Sequence, residues 1–189
     1  MNEPSRSSGR LTLILIAAVF FGPLIVATWL YYSGAAFQPE GRVNHGVLLE
    51  PIVNVAEAAP DVDFDAGGSW LLVFEDLGNC GDECRNGLYT IRQSRLMLGR
   101  EMDRVGRIFL HGAEAPDTLF LEQEHKGLIA LENGGLSAIL ANKKPAGLAG
   151  GGYYLIDPLG NLVMYFPPDI VPGDMVDDIK RLLKLSRIG

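Results

Sequence analysis

Residues 71–84, Leu-Leu-Val-Phe-Glu-Asp-Leu-Gly-Asn-Cys-Gly-Asp-Glu-Cys, constrain the fold more than any other stretch of the chain. Residues 70–74 are continuously apolar and lie between turn signals. That pattern predicts a central strand buried on both faces. The strand ends in a turn, and the turn delivers Cys80 and Cys84, the only two cysteines of the protein. Residues 85–105 then read as a helix, with Leu88, Ile91, Leu98, Met102 and Val105 near helical spacing and Arg95 interrupting the apolar stripe. Gly106 is its expected stop. A strand that feeds two thiols to the mouth of a helix is a redox or metal-binding arrangement.

A second feature decides where this arrangement works. Residues 11–32 carry no charge and are dominated by Leu, Ile, Val and Phe, closing with Trp29, Tyr31 and Tyr32. A helix needs about 20 such residues to cross the hydrocarbon core, and aromatic residues suit its interface. Pro23 would kink such a helix without forbidding it. A cleaved signal peptide is the alternative, with Gly34-Ala35-Ala36 as a cleavage site, but the apolar region of a signal is roughly 7–15 residues. Arg6 and Arg10 precede the span and the next basic residue is Arg42. The positive-inside rule therefore places the N-terminus in the cytoplasm and the rest on the far side. In a bacterium that is a single-pass inner-membrane protein with a periplasmic domain. The expected division is a cytoplasmic tail (1–10), a transmembrane anchor (11–32), a linker (33–44) and a folded domain (45–189).

The formal charge of the 189-residue chain is −7, and the part beyond the span is one charge more acidic. Such a surface argues against nucleic-acid binding. Lys180, Arg181, Lys184 and Arg187 read as the solvated face of a terminal helix.

In chain order, residues 44–55 look like two short strands interrupted by Pro51, which demotes them to an edge or a hairpin. Residues 59–68 are loop and turn. After the thiol helix, residues 107–111 form a second strand, followed by a short helix entered from Asp117. Residues 127–140 mix apolar residues with Gly134-Gly135 and take no clear assignment, and residues 141–152 read as a flexible loop. Residues 153–156 and 162–166 form a hairpin around Asp157-Pro158-Leu159-Gly160-Asn161. A final helix starts at Asp174, with acidic residues at its start and basic ones at its end. The order β-α-β followed by β-β-α is that of an α/β, thioredoxin-like fold, a central sheet flanked by helices.

At i and i+4 on one helical face, Cys80 and Cys84 would have Cβ atoms about 5–6 Å apart, and in a loop they could reach disulfide geometry. A helix N-terminus lowers a thiol pKa, while Asp82 and Glu83 between the cysteines oppose a thiolate. A thiolate pair suits Cu(I). A structural bridge is the alternative, but so small a loop stabilises little. Of His45, His111 and His125, only His111 closes a strand at the sheet edge where the cysteines would emerge. It is the candidate third metal ligand. No HExxH, GxSxG or phosphate-loop motif occurs.

The single-span anchor, the exported thioredoxin-like domain, Cys80-x-x-x-Cys84 and the hairpin 155–160 together resemble the Sco/SenC family of cytochrome c oxidase assembly proteins. The resemblance implies that Cys80 and Cys84 are the thiol pair, that copper is the cofactor, and that the partner is a respiratory oxidase subunit or another assembly factor. Thiol–disulfide oxidoreductase activity is the second role it implies. Two positions depart from the family pattern. Arg85 stands where the family has proline, and the family's ligand histidine before the hairpin is missing from residues 149–152, Ala-Gly-Gly-Gly. The expected function is membrane-anchored oxidase assembly by thiol–disulfide exchange or transient Cu(I) handling. A tethered scaffold with a static bridge and a general periplasmic thiol reductase are the competing readings.

Overall fold

The computed structural model describes residues 6–33, 44–58, 68–114, 116–148 and 151–186. They cluster into two units, residues 1–42 and 43–189. In the first unit α1 (Arg6–Tyr32) is one helix containing Pro23. It begins at Arg6, within residues 1–10, the expected cytoplasmic tail. Its apolar side chains are exposed, Phe20 and Leu13 among them, and its segment Gly9–Leu30 is long and apolar enough to cross a membrane. Most of the expected linker and of the loop at 59–68 lies outside the described residues.

The second unit is a six-stranded mixed sheet with flanking helices, the first of them the short α2 (Val55–Ala58). Its strands are β1 (Val47–Asn54), β2 (Trp70–Asp76), β3 (Val105–His111), β4 (Leu128–Leu131), β5 (Gly152–Ile156) and β6 (Asn161–Phe166), in the spatial order β1-β6-β5-β2-β3-β4. The pairs β2–β3 and β3–β4 are parallel, and the other three are antiparallel. Six of the seven residues of β2 are buried, because helices cover both faces. On one side α3 (Asp82–Met97) and α6 (Pro172–Leu185) pack Leu88, Ile91, Met175 and Ile179 against Leu72, Phe74 and Phe109. On the other, α5 (Gly134–Lys143) packs Leu136 and Leu140 against Leu71, Val73 and Tyr154. This is the thioredoxin-like arrangement that the element order predicts.

Several boundaries differ from expectation for identifiable reasons. The thiol helix starts at Asp82 and ends at Met97, and a 3₁₀ segment, Gly99–Arg104, completes the expected span. Its break coincides with Gly99, whose φ of 62° is one that side chains resist. Gly106 stops nothing. It lies within β3, where a Cβ would come within 2.9 Å of the Leu71 side chain. Pro51 does put its segment at the sheet edge, as one strand with a register shift between Leu48 and Val53 and not as two strands. The unassigned region holds β4 and α5, and α5 takes the first residues of the expected flexible loop. Asn133 caps α5, its side chain accepting from the Leu136 N–H at 2.8 Å. Asp117 caps α4 (Thr118–Glu124) in the same way, accepting from Leu119 and Phe120. The final helix starts two residues before Asp174, with Pro172 in its first turn.

Candidate functional site

The C-terminal edge of the parallel strands builds the site. Asp76 ends β2, and its Oδ1 accepts from the Gly78 N–H at 2.9 Å, turning the chain. The loop after β3 closes on this turn so tightly that a Cβ at Gly112 would sit 2.2 Å from the Leu77 carbonyl oxygen. The Gly81 N–H then donates to the Asn79 carbonyl at 2.7 Å, and α3 begins. The two cysteines flank this entry. They are joined by a disulfide, with Cα atoms 4.9 Å apart.

The two sulfur-bearing residues are not equivalent. Cys84 is 1% exposed and packs in the core cluster of Phe74, Leu88 and Phe109, whereas Cys80 lies at its margin, half-buried. No side chain caps α3, so the N–H groups of its first turn are left for a charge that forms there. Asp82 and Glu83 in that turn act in the opposite sense. Arg85, standing where the Sco pattern has proline, extends outward and places its guanidinium 4.9 Å from the centre of the Phe120 ring, a cation–π contact that ties α3 to α4.

Beside the first turns of α3 runs a pocket of about 300 Å³. Phe74, Gly87 and Tyr153 form its apolar part, and Asp76, Glu83 and Asp169 make it acidic. Gly87 is required there: a Cβ would lie 2.2 Å from the Phe74 ring. Glu75 also lines the pocket but belongs to the α5 face of the sheet, where its Oε1 accepts from the Ser137 hydroxyl at 2.6 Å. Burial pushes the Glu75 carboxyl above the usual range, opposed by Ser137 and by the charge of Lys144.

His111 does close β3 level with Asp76, at the edge where the disulfide lies. Its Nδ1–H donates to the Gly112 carbonyl at 2.7 Å, and its ring centroid is 5.8 Å from that of Phe109. A carbonyl only accepts, so this bond leaves Nε2 as the nitrogen able to bind a further group. Yet among the described residues no three His, Cys, Asp or Glu side chains are grouped to hold a metal ion. His111 is not gathered with Cys80 and Cys84 into a three-ligand site, and the bonded cysteines present no thiolates. Nor could the strand start before β5 supply the ligand at position 151, since a Cβ on Gly151 would come within 2.3 Å of the Glu75 carbonyl oxygen. The donor set therefore does not fit a three-ligand copper centre. Of the other histidines, His45 lies 3.6 Å from Asp174, and His125 is buried against Phe120. The burial of His125 went unforeseen, because it follows from β4, a strand the sequence pattern does not announce.

A family model described as "Transmembrane-like, thioredoxin-like, C-terminal domain" matches residues 70–186, and its companion, "Transmembrane-like, N-terminal domain", matches residues 4–34. No curated protein matches the chain. Solved structures similar to it include Arabidopsis thaliana ScoI with copper bound, at 14% identity and a TM-score of 0.51, covering 63% of this chain and 86% of that one. Yeast Sco1 matches at 17% identity and a TM-score of 0.50, with the same coverage of 63% and 86%. Bradyrhizobium japonicum ScoI with copper bound has 22% identity and a TM-score of 0.45 over 60% of this chain and 85% of that one. The Sco/SenC resemblance carried by the residues thus returns as a shared fold. A thioredoxin-like domain bearing its disulfide at the C-terminal end of the central strand, preceded in sequence by an apolar helix, makes this chain a member of the transmembrane-like, thioredoxin-like family.

Proposed function

We propose that this protein is a single-pass inner-membrane factor whose periplasmic domain, residues 45–189, serves respiratory oxidase assembly by thiol–disulfide exchange through Cys80 and Cys84. The observation that carries the reading is the placement of the pair: an accessible Cys80 and a buried Cys84, joined at the end of the central strand where a helix begins. Arg6 and Arg10 at the N-terminal end of α1, with no basic residue at its other end, support a cytoplasmic N-terminus.

The chemistry balances without a further reactant. A partner thiolate attacks the Sγ of Cys80, the Cys80–Cys84 bond breaks, and Cys84 leaves as a thiolate near the N-terminus of α3. The partner's second thiolate attacks the mixed disulfide, the partner's own disulfide forms, and Cys80 leaves. Two electrons pass from partner to pair, and the reverse sequence reduces a partner disulfide. The acidic groove along α3 favours a partner segment with Lys or Arg near its cysteine.

Cu(I) handling by the reduced pair is a second reading, favoured by the fold shared with copper-bound Arabidopsis ScoI. Two thiolates would be the whole donor set, a soft pair suited to Cu(I). The pathway is tested in cells lacking the protein. Membrane cytochrome c oxidase activity should fall, recover with the wild-type chain and fail to recover with Cys80→Ser. Unchanged oxidase activity in the deletion strain would remove oxidase assembly as the role.

A further inference from the structure

Two arginines intrude on apolar faces and meet at one place. In α3, Arg95 follows Leu88 and Ile91 along the stripe that faces the core. In β3, Arg107 lies between Val105 and Phe109 at a spacing of two, on the face whose neighbours lie in the buried cluster on the α3 side of the sheet. Arg107 is 5% exposed. Its Nη2 donates to the Lys126 carbonyl at 2.6 Å, while its Nε and Nη1 are buried and have no partner. A guanidinium has five N–H donors and keeps its charge, so idle donors at this depth are costly unless something answers them.

Among the described residues, no carboxylate bonds to it. The charges that act on Arg107 are those of Arg95 and Arg92, both positive, and burial together with these two pushes its pKa down. Arg92 is held by Glu124 at 3.3 Å. Arg95 donates to the Val105 carbonyl at 2.7 Å and lies 3.4 Å from the exposed Asp103. Arg92, Arg95, Arg107 and Lys126 line a single open pocket of about 220 Å³, with Glu124 the one acidic residue in its wall. His125 beside it is buried with an unpartnered Nδ1, and burial with the charges of Arg107 and Arg92 pushes its pKa down, against Glu124.

We propose that this pocket binds a phosphate-type oxyanion, held by the buried Arg107 with Arg92, Arg95 and Lys126. The donors come from three directions, α3, β3 and the connection after α4. A tetrahedral dianion has acceptor oxygens for all three, whereas a planar carboxylate offers one edge. Arg107 pairs with Leu72 in the sheet and His111 with Asp76, so the pocket lies back from the disulfide edge and its occupancy is separable from thiol exchange.

The test is thermal unfolding of the full-length oxidised protein, in phosphate-free maltoside and in proteoliposomes. In detergent, inorganic phosphate is titrated at constant ionic strength set with sodium chloride. In proteoliposomes, phosphatidylcholine alone is compared with phosphatidylcholine containing phosphatidic acid. The proposal expects a saturable rise in unfolding temperature in at least one arm, absent in Arg107→Met. A rise with inorganic phosphate identifies the free ion as the source, and a rise confined to phosphatidic acid identifies a lipid headgroup. Should Arg107→Met fail to fold, Arg92→Gln/Arg95→Gln should weaken the apparent affinity about tenfold. No rise in either arm, or a rise that these variants leave unchanged, overturns the proposal.

Discussion

Phe74→Ala lowers the stability of the full-length protein by about 3–5 kcal/mol and its unfolding temperature by about 10 °C, measured by thermal unfolding at neutral pH. Phe74 is the keystone beneath the disulfide. Its ring stacks between Phe109 and Tyr153, with centroids 5.6 Å and 5.3 Å away, and fills the space that the missing side chain of Gly87 leaves. Truncation opens a void next to Cys84 that the sheet on one side and α3 on the other cannot close without moving. The pair forms a revealing double-mutant cycle. Gly87→Ala alone drives a methyl into the Phe74 ring and should cost about 1–3 kcal/mol. On the Phe74→Ala background the same methyl enters the void, so the two losses should fall short of adding. Additive losses would show that the Phe74–Gly87 contact is not what fixes α3 on the sheet.

Cys84→Ser accumulates a mixed disulfide between Cys80 and its partner, and Cys80→Ser does not. With Cys84 replaced, the Cys80 thiolate attacks a partner disulfide and displaces one partner thiolate, and no resident thiol follows to complete the reduction and release the partner. With Cys80 replaced, the remaining thiol is 1% exposed behind Phe74 and Leu88 and out of reach of a partner sulfur. Membranes quenched in acid, alkylated and run on a non-reducing gel should show a high-molecular-mass band that is sensitive to reductant in Cys84→Ser. Equal bands from both variants would mean that burial does not order the two thiols.

How much of this was legible in the residues varied with how locally each feature is encoded. The central strand could be read because a continuous apolar run between turns has few other fates, and the thiol pair followed from it. Asp117 announced α4 because a cap is a local signal. β4 was hidden because it is only four residues long with no fully buried position, and Gly134-Gly135 disguised the start of α5. The end of the thiol helix was misplaced because two glycines compete for it, and the backbone conformation at Gly99, invisible in the sequence, decides between them. Arg107 was legible in principle: two residues from Val105 and two from Phe109 in a strand, it must share their face. A strand that begins at Arg107 leaves Val105 out of the alternation, and the intrusion does not show. The relation of His111 to the thiols was not legible, since strand order places it at the right edge without bringing it into a common cluster with them.

The Cys80–Cys84 disulfide is expected to be exchanged with a partner's sulfurs and not to be a static brace. Its reduction potential in the full-length protein, read by equilibrating the chain in dithiothreitol or glutathione redox buffers and counting alkylated thiols, tests this most directly. An exchange-active pair should titrate between about −270 and −120 mV, the range of thioredoxin-like oxidoreductases. A potential well below about −300 mV, where structural disulfides lie, would mean that the bridge is a static brace.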